Sequence, residues 1–287
     1  MNVPVPHMTA LPAAPVSVQP LPACVIPLRG GTGTPLFLVT GAGGGSHWFT
    51  SVVSHLAPVR PVYALEMMAL SDQAIFGSIP EMAAEYLVAL RQIQPHGPYL
   101  LGGFSMGGHV AYEMAQRLRG AGERIDLLAL MDSYGPGADH RGSRRAVNYV
   151  VNFLRRSPEE KRAFVREKIV WLRFLWQRCI RNRDTPPQQN EFNRALYSQA
   201  AAAANYAARP WNGDIVLLRA ATPPHNSLRV EEYCGWRSLL SGRISSYVMP
   251  CGHFTLFKPP HDGEIARLLD SHIAAAKAPV PPAGATS

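Results

Sequence analysis

The residues that most constrain this chain are 98–132, PYLLGGFSMGGHVAYEMAQRLRGAGERIDLLALMD. A short apolar run, Tyr99-Leu100-Leu101, leads into Gly103-Phe104-Ser105-Met106-Gly107, and a helical pattern follows at once. Val110, Met114 and Leu118 recur at i, i+4 and i+8, as one apolar face of a helix requires. A second apolar run over 125–131 ends on Asp132. Strand, sharp turn carrying a serine, helix, strand, acid: this order predicts a nucleophile elbow with an acid on the next strand. A serine between a strand end and a helix start takes a strained backbone conformation. Gly103 and Gly107 lack β-carbons and let the flanking turns approach closely. The N–H of Met106, near a helix N-terminus, is suited to stabilise an oxyanion, because helix N-termini present unpaired N–H groups at the positive end of the dipole.

Upstream, Leu36-Phe37-Leu38-Val39 reads as a buried strand, followed by Thr40-Gly41-Ala42-Gly43-Gly44-Gly45-Ser46. A glycine-rich loop after a strand can cradle a phosphate, but this one is not the G-x-G-x-x-G of a dinucleotide site. It fits better as the loop that supplies the second oxyanion N–H in an α/β-hydrolase fold. Either Ala42 or Gly43 would be that donor, and the sequence does not choose between them.

The remaining elements alternate as an α/β domain should. Strands are expected at 61–65, 214–218 and 244–248, with helices at 79–94 and 264–276, Pro80 falling harmlessly near a helix start. The stretch 135–209 breaks the alternation with three helical patterns, 147–154, 161–180 and 193–208. It sits between Asp132 and the next strand, which predicts a helical lid over the catalytic edge of a mostly parallel sheet. Its middle helix carries Trp171, Phe174 and Trp176 among arginines; the alternative is an amphipathic helix with a solvated basic face. The domain is expected over 29–276. Residues 1–28 hold seven prolines and no charged side chain, and read as a flexible leader without signal-peptide character; residues 277–287 read as a disordered tail.

Charge excludes less than its size suggests. Net charge is +8, yet 14 Lys and Arg against five Asp and Glu fall within 141–194, so the basicity belongs to the lid. No RNP motif, zinc finger or recognition helix accompanies it, which argues against a nucleic-acid binder, and no apolar run reaches the length of a membrane span. Cys24, Cys179, Cys234 and Cys251 form no C-x-x-C pair and no metal-ligand spacing, as separate reduced thiols of a cytoplasmic protein would.

Among ten histidines, His253 follows the last strand on a loop opened by Gly252 and completes the chain order Ser, Asp, His. His261 sits at the entry to the final helix, His225 lies in a proline-rich loop, and His109 runs along the helix after the elbow. The expected machinery is therefore Ser105 as nucleophile, His253 as base and Asp132 as the acid that orients it, with Asp139 the weaker candidate for the acid.

The run GPYLLGGFSMGGHVAYEMAQRLRGAGERIDLLALMDS, with ANYAARPWNGDIVLLRA and GWRSLLSGRISSYVMPCGHFTLF, resembles the type I thioesterase family that ends polyketide and nonribosomal peptide assembly lines. The likeness covers 35–276. It implies that Ser105 takes an acyl chain from the phosphopantetheine thioester of an acyl or peptidyl carrier protein and releases it by hydrolysis or cyclisation. It implies no cofactor of the chain's own and no metal. Carrier proteins are typically acidic, so the basic lid would guide their docking. Two positions depart from the family: Thr40-Gly41 stands where His-Pro is usual, and Glu66-Met67-Met68 replaces a Gln, Pro and Gly pattern. Competing readings are a general carboxylesterase or lipase with the same triad and a non-catalytic ligand-binding member of the fold. Acyl identity, hydrolysis against macrocyclisation, terminal release against editing, oligomeric state, and a discrete protein against an excised domain stay open.

Overall fold

The structure, a computed structural model, describes residues 20–66, 77–135, 154, 158, 161–162, 165, 169, 198–222 and 232–277. The strands are β1 (Val25–Arg29), β2 (Leu36–Val39), β3 (Val62–Leu65), β4 (Tyr99–Phe104), β5 (Ile125–Met131), β6 (Ile215–Thr222) and β7 (Ile244–Gly252). They form a seven-stranded sheet in the order β1-β3-β2-β4-β5-β6-β7, with β1 antiparallel to β3 and every other pair parallel. This is an α/β-hydrolase fold. Helices α1 (Thr50–His55), α2 (Ile79–Ile93), α3 (Met106–Gly120) and α4 (His261–Lys277) cover its faces.

The continuous apolar runs of β2, β4 and β5 follow from burial on both faces. In β2, Phe37 and Val39 face α2 and α3, where they meet Met82, Tyr86, Val110 and Met114. Leu36 and Leu38 point the other way, toward Val53 of α1 and Ile265 and Leu269 of α4. Each such side chain contributes about 2 kcal/mol by leaving water. Ser78 caps α2, its hydroxyl accepting from the Glu81 N–H, and Pro80 sits in the first turn as expected.

The chain enters the sheet earlier than the hydrophobic pattern predicts. Residues 25–28, expected in the leader, belong to β1, which pairs Val25 with Leu65 and Ile26 with Ala64. Pro27 is tolerated because β1 is an edge strand, where a missing N–H costs no ladder bond on the open side. Arg29, at the end of this strand, donates from Nη1 to the carbonyls of Val53 (2.9 Å) and Leu56 (2.8 Å), and from Nη2 to Ala57 (2.6 Å). A cation thereby satisfies carbonyls at the C-terminal end of α1. The last strand and helix are also longer than expected, β7 running on to Gly252 and α4 starting at His261.

Much of the expected lid lies outside the described residues, including Arg155, Arg156, Trp171 and Cys179, as do residues 1–19, Met67, Met68, Asp139, His225 and the tail beyond Lys277. Within it, Leu154, Val165 and Ile169 are helical and exposed, and 198–205 is helical with Ala202 buried. Among the described residues no helix is long and apolar enough to cross a membrane.

Candidate active site

The sheet order reverses at β2. The chain passes from β2 to β3 on one side and then returns to β4 on the other, so the loops after β2 and β4 leave a shared crevice. Val39 pairs with Gly103 at the ends of these strands, which sets the Gly41–Gly45 loop beside Ser105.

Ser105 has φ 54° and ψ −123°, a sparsely populated conformation. Its N–H donates to Met131 O (2.9 Å), and its carbonyl accepts from the Gly108 N–H (3.1 Å). The glycines on either side are required by close approach. A β-carbon on Gly103 would stand 2.1 Å from Gly107 O, and one on Gly107 would stand 2.4 Å from both Val39 O and Thr40 O. Helix α3 begins at Met106 without a side-chain cap, and among the described residues the Met106 N–H has no acceptor.

Asp132 follows β5 and is 1% exposed, also with a positive φ of 44°. Its N–H donates to Leu218 O (2.6 Å), and its Oδ1 accepts from the Ala220 N–H (2.9 Å). Both partners are on β6, the strand between β5 and β7, and across it Asp132 Oδ2 lies 2.6 Å from His253 Nδ1. With Nδ1–H donating to the carboxylate, Nε2 is left as the proton acceptor. His253 is 7% exposed, in a short 3-10 turn braced by Thr255 Oγ1, which accepts from the Gly252 N–H (3.0 Å). Phe104, the residue before Ser105, stacks on the His253 ring at 4.6 Å between centroids. Trp48 and the exposed Phe254 continue this aromatic wall.

Among the described residues, the rival histidines lie elsewhere. His109 lies against Tyr134 O (2.6 Å) and the rings of Tyr206 and Trp236 on the α3 face, and His261 starts α4. Asp126 lies near the start of β5 and binds Arg124 (2.8 Å), away from the crevice. Cys251 is next to this site; burial, with the nearby Asp132 charge, pushes its thiol up to about 11. Among the described residues no three His, Cys, Asp or Glu side chains group as metal ligands would.

The loop after β2 is held by side chains. Thr40 Oγ1 donates to Leu65 O (3.2 Å), and the Ser46 N–H donates to Glu66 Oε1. Glu66 thus anchors the loop. The Gly43 N–H donates to Gln199 Oε1 (3.0 Å), while among the described residues the Ala42 N–H has no acceptor. Gln199 is not among the residues expected from the sequence, although one signal exists: it shares a helix face with Ala202 and Ala203, so a polar residue stands on a buried face.

The thioesterase domain family matches residues 34–273. Malpibaldin synthetase of Mortierella alpina is 29% identical over 258 residues, covering 87% of this chain; the chain spans only 4% of that synthetase. The thioesterase domain of NocB, solved as a covalent complex with a fluorophosphonate nocardicin G analog, superposes with a TM-score of 0.58 at 26% identity, covering 87% of this chain and 96% of that domain. The four-domain nonribosomal peptide synthetase holo-AB3403 superposes with a TM-score of 0.66 at 22% identity, over 90% of this chain and 20% of its own length, a likeness of fold.

Proposed function

The chain belongs to the thioesterase domain family, and from that premise we propose that it takes an acyl chain from a carrier-bound phosphopantetheine thioester onto Ser105. The observation that carries this reading is the buried Asp132–His253 contact of 2.6 Å at the strand ends beside a serine held at positive φ. His253 Nε2 removes the Ser105 hydroxyl proton as Oγ attacks the thioester carbonyl carbon, and Asp132 keeps the ring in the required tautomer and stabilises the imidazolium. The tetrahedral oxyanion is met by the Met106 and Ala42 N–H groups, neither of which has an acceptor among the described residues. The C–S bond then breaks, and His253 returns the proton to the pantetheine sulfur. In the second half, water, or a hydroxyl or amine of the acyl chain itself, loses a proton to His253 and attacks the acyl-serine, which gives free acid or ring and restores Ser105.

The donor we propose is an acyl or peptidyl carrier protein, consistent with the synthetases among its relatives and with the excess positive charge of 141–194. No cofactor takes part. A cytoplasmic setting fits Cys24 and Cys251, which form no disulfide among the described residues.

Intact-mass measurement after exposure to a fluorophosphonate and to acyl-N-acetylcysteamine thioesters tests this. Wild type is expected to gain one adduct, Ser105→Ala none, and Ser105→Ala should lose activity by roughly 10⁴-fold or more. Equal labelling of the two proteins would remove Ser105 from the role. A preference for oxygen esters over thioesters would move the assignment to a carboxylesterase.

A further inference from the structure

The Gly41-Ala42-Gly43-Gly44-Gly45 loop has almost no side chains with which to hold its own shape, and glycines leave the most backbone freedom to be lost on ordering. Its tight turn is closed by the Gly44 N–H donating to Gly41 O (3.1 Å), with Gly43 at φ 61° in the third position. Positive φ at that position marks the type II arrangement, in which the central peptide, Ala42 to Gly43, is rotated relative to type I. At a glycine the two arrangements are both sterically open, so something outside the turn must select one. The N–H of that central peptide is the group Gln199 accepts from, at 3.0 Å.

Gln199 is well placed for this. It is 7% exposed and belongs to the helical stretch 198–205, whose position is fixed independently of the loop. Ala202 and Tyr206 are buried against the α3 face, and the Tyr206 hydroxyl donates to Glu113 Oε2 (3.0 Å), while Glu113 Oε1 accepts from Arg117 Nε (2.8 Å). Tyr112 and Gln116 of α3 donate to Arg209 O just beyond (2.8 and 2.7 Å). The same helix α3 that begins at the Met106 donor therefore carries the element that reaches the Gly43 N–H. Gln199 supplies the acceptor for this part-buried N–H, so Gly43 is occupied, while among the described residues the Ala42 N–H is left open.

We infer that Gln199 is a positioning residue for the oxyanion hole: by accepting from Gly43 it selects the turn that keeps the Ala42 N–H aligned with that of Met106. The inference rests on Ser105 as the acylated nucleophile, and its test separates the two. Gln199→Met keeps the length and removes the acceptor; Gln199→Glu keeps an acceptor at the same place. Hydrogen exchange over residues 40–46, measured by mass spectrometry in the full chain, reads the loop without any need for activity. Gln199→Met is expected to accelerate exchange there by about ten-fold or more, and Gln199→Glu to restore slow exchange. Removing an oxyanion donor outright costs about 10²–10³ in kcat, so its misalignment in Gln199→Met should lower both kcat for an acyl-N-acetylcysteamine thioester and the rate of Ser105 phosphonylation by roughly ten-fold, with KM within about two-fold. Unchanged exchange over 40–46, or faster exchange with wild-type phosphonylation and kcat, would overturn the inference. Failure of wild type itself to label would instead overturn the role of Ser105, while the exchange arm still decides whether Gln199 holds the turn.

Discussion

Ser105 and Asp132 stand at the ends of neighbouring parallel strands, both at positive φ, and each donates its N–H to the next strand, to Met131 O and Leu218 O. The loop after β2 enters the same crevice with the opposite construction: four glycines in five residues, held by Leu65, Glu66 and Gln199 from elsewhere in the chain. Strain of about 1–3 kcal/mol per residue persists at the strand ends because the sheet over-determines them. The loop stores no comparable constraint of its own. Two parts of one site thus draw their order from different sources, the first from main-chain bonds that the strand order imposes, the second from a few side chains whose loss the loop cannot absorb.

That contrast can be broken at three points. The largest effect is expected from Asp132→Asn, which keeps the shape of the strand end but disturbs the tautomer of His253; kcat should fall about 10³–10⁴-fold with the circular dichroism spectrum unchanged. A loss below ten-fold would show that the strand-end pair is only structural. Next comes Gly107→Ala, at the joint between the two regions, where the new β-carbon meets Val39 O and Thr40 O at 2.4 Å. Backbone oxygens on both sides leave no flexible side chain to yield, so unfolding in urea should show a destabilisation of about 2–3 kcal/mol. A midpoint equal to wild type would mean that the loop moves freely relative to the elbow. The smallest effect belongs to Thr40→Val. Leu65 O keeps the Thr40 N–H (3.1 Å) when the hydroxyl is lost, so the cost should be about 1 kcal/mol in the same assay. A markedly larger loss would place more of the loop's order in this one contact than in Glu66 and Gln199.

What could be read in the sequence and what could not divides along the same line. Residues 98–132 encode the elbow locally, through an apolar strand, two glycines that only a close turn requires, and a helical period in Val110, Met114 and Leu118, all of which are buried as that period demands. The position of His253 after the last strand was legible from chain order, because α/β folds gather their functional residues at one edge of the sheet. Edge strand β1 was hidden, since Pro27 and the prolines around it mimic a leader until β3 is there to pair with. Tertiary structure alone brought Asp132 to His253 across β6, over 121 positions of sequence, and Gly43 to Gln199 over 156. Period and turn chemistry act within a few residues and are written in them; a hydrogen bond between distant segments exists only after the strand order has set both ends, and no local pattern records it.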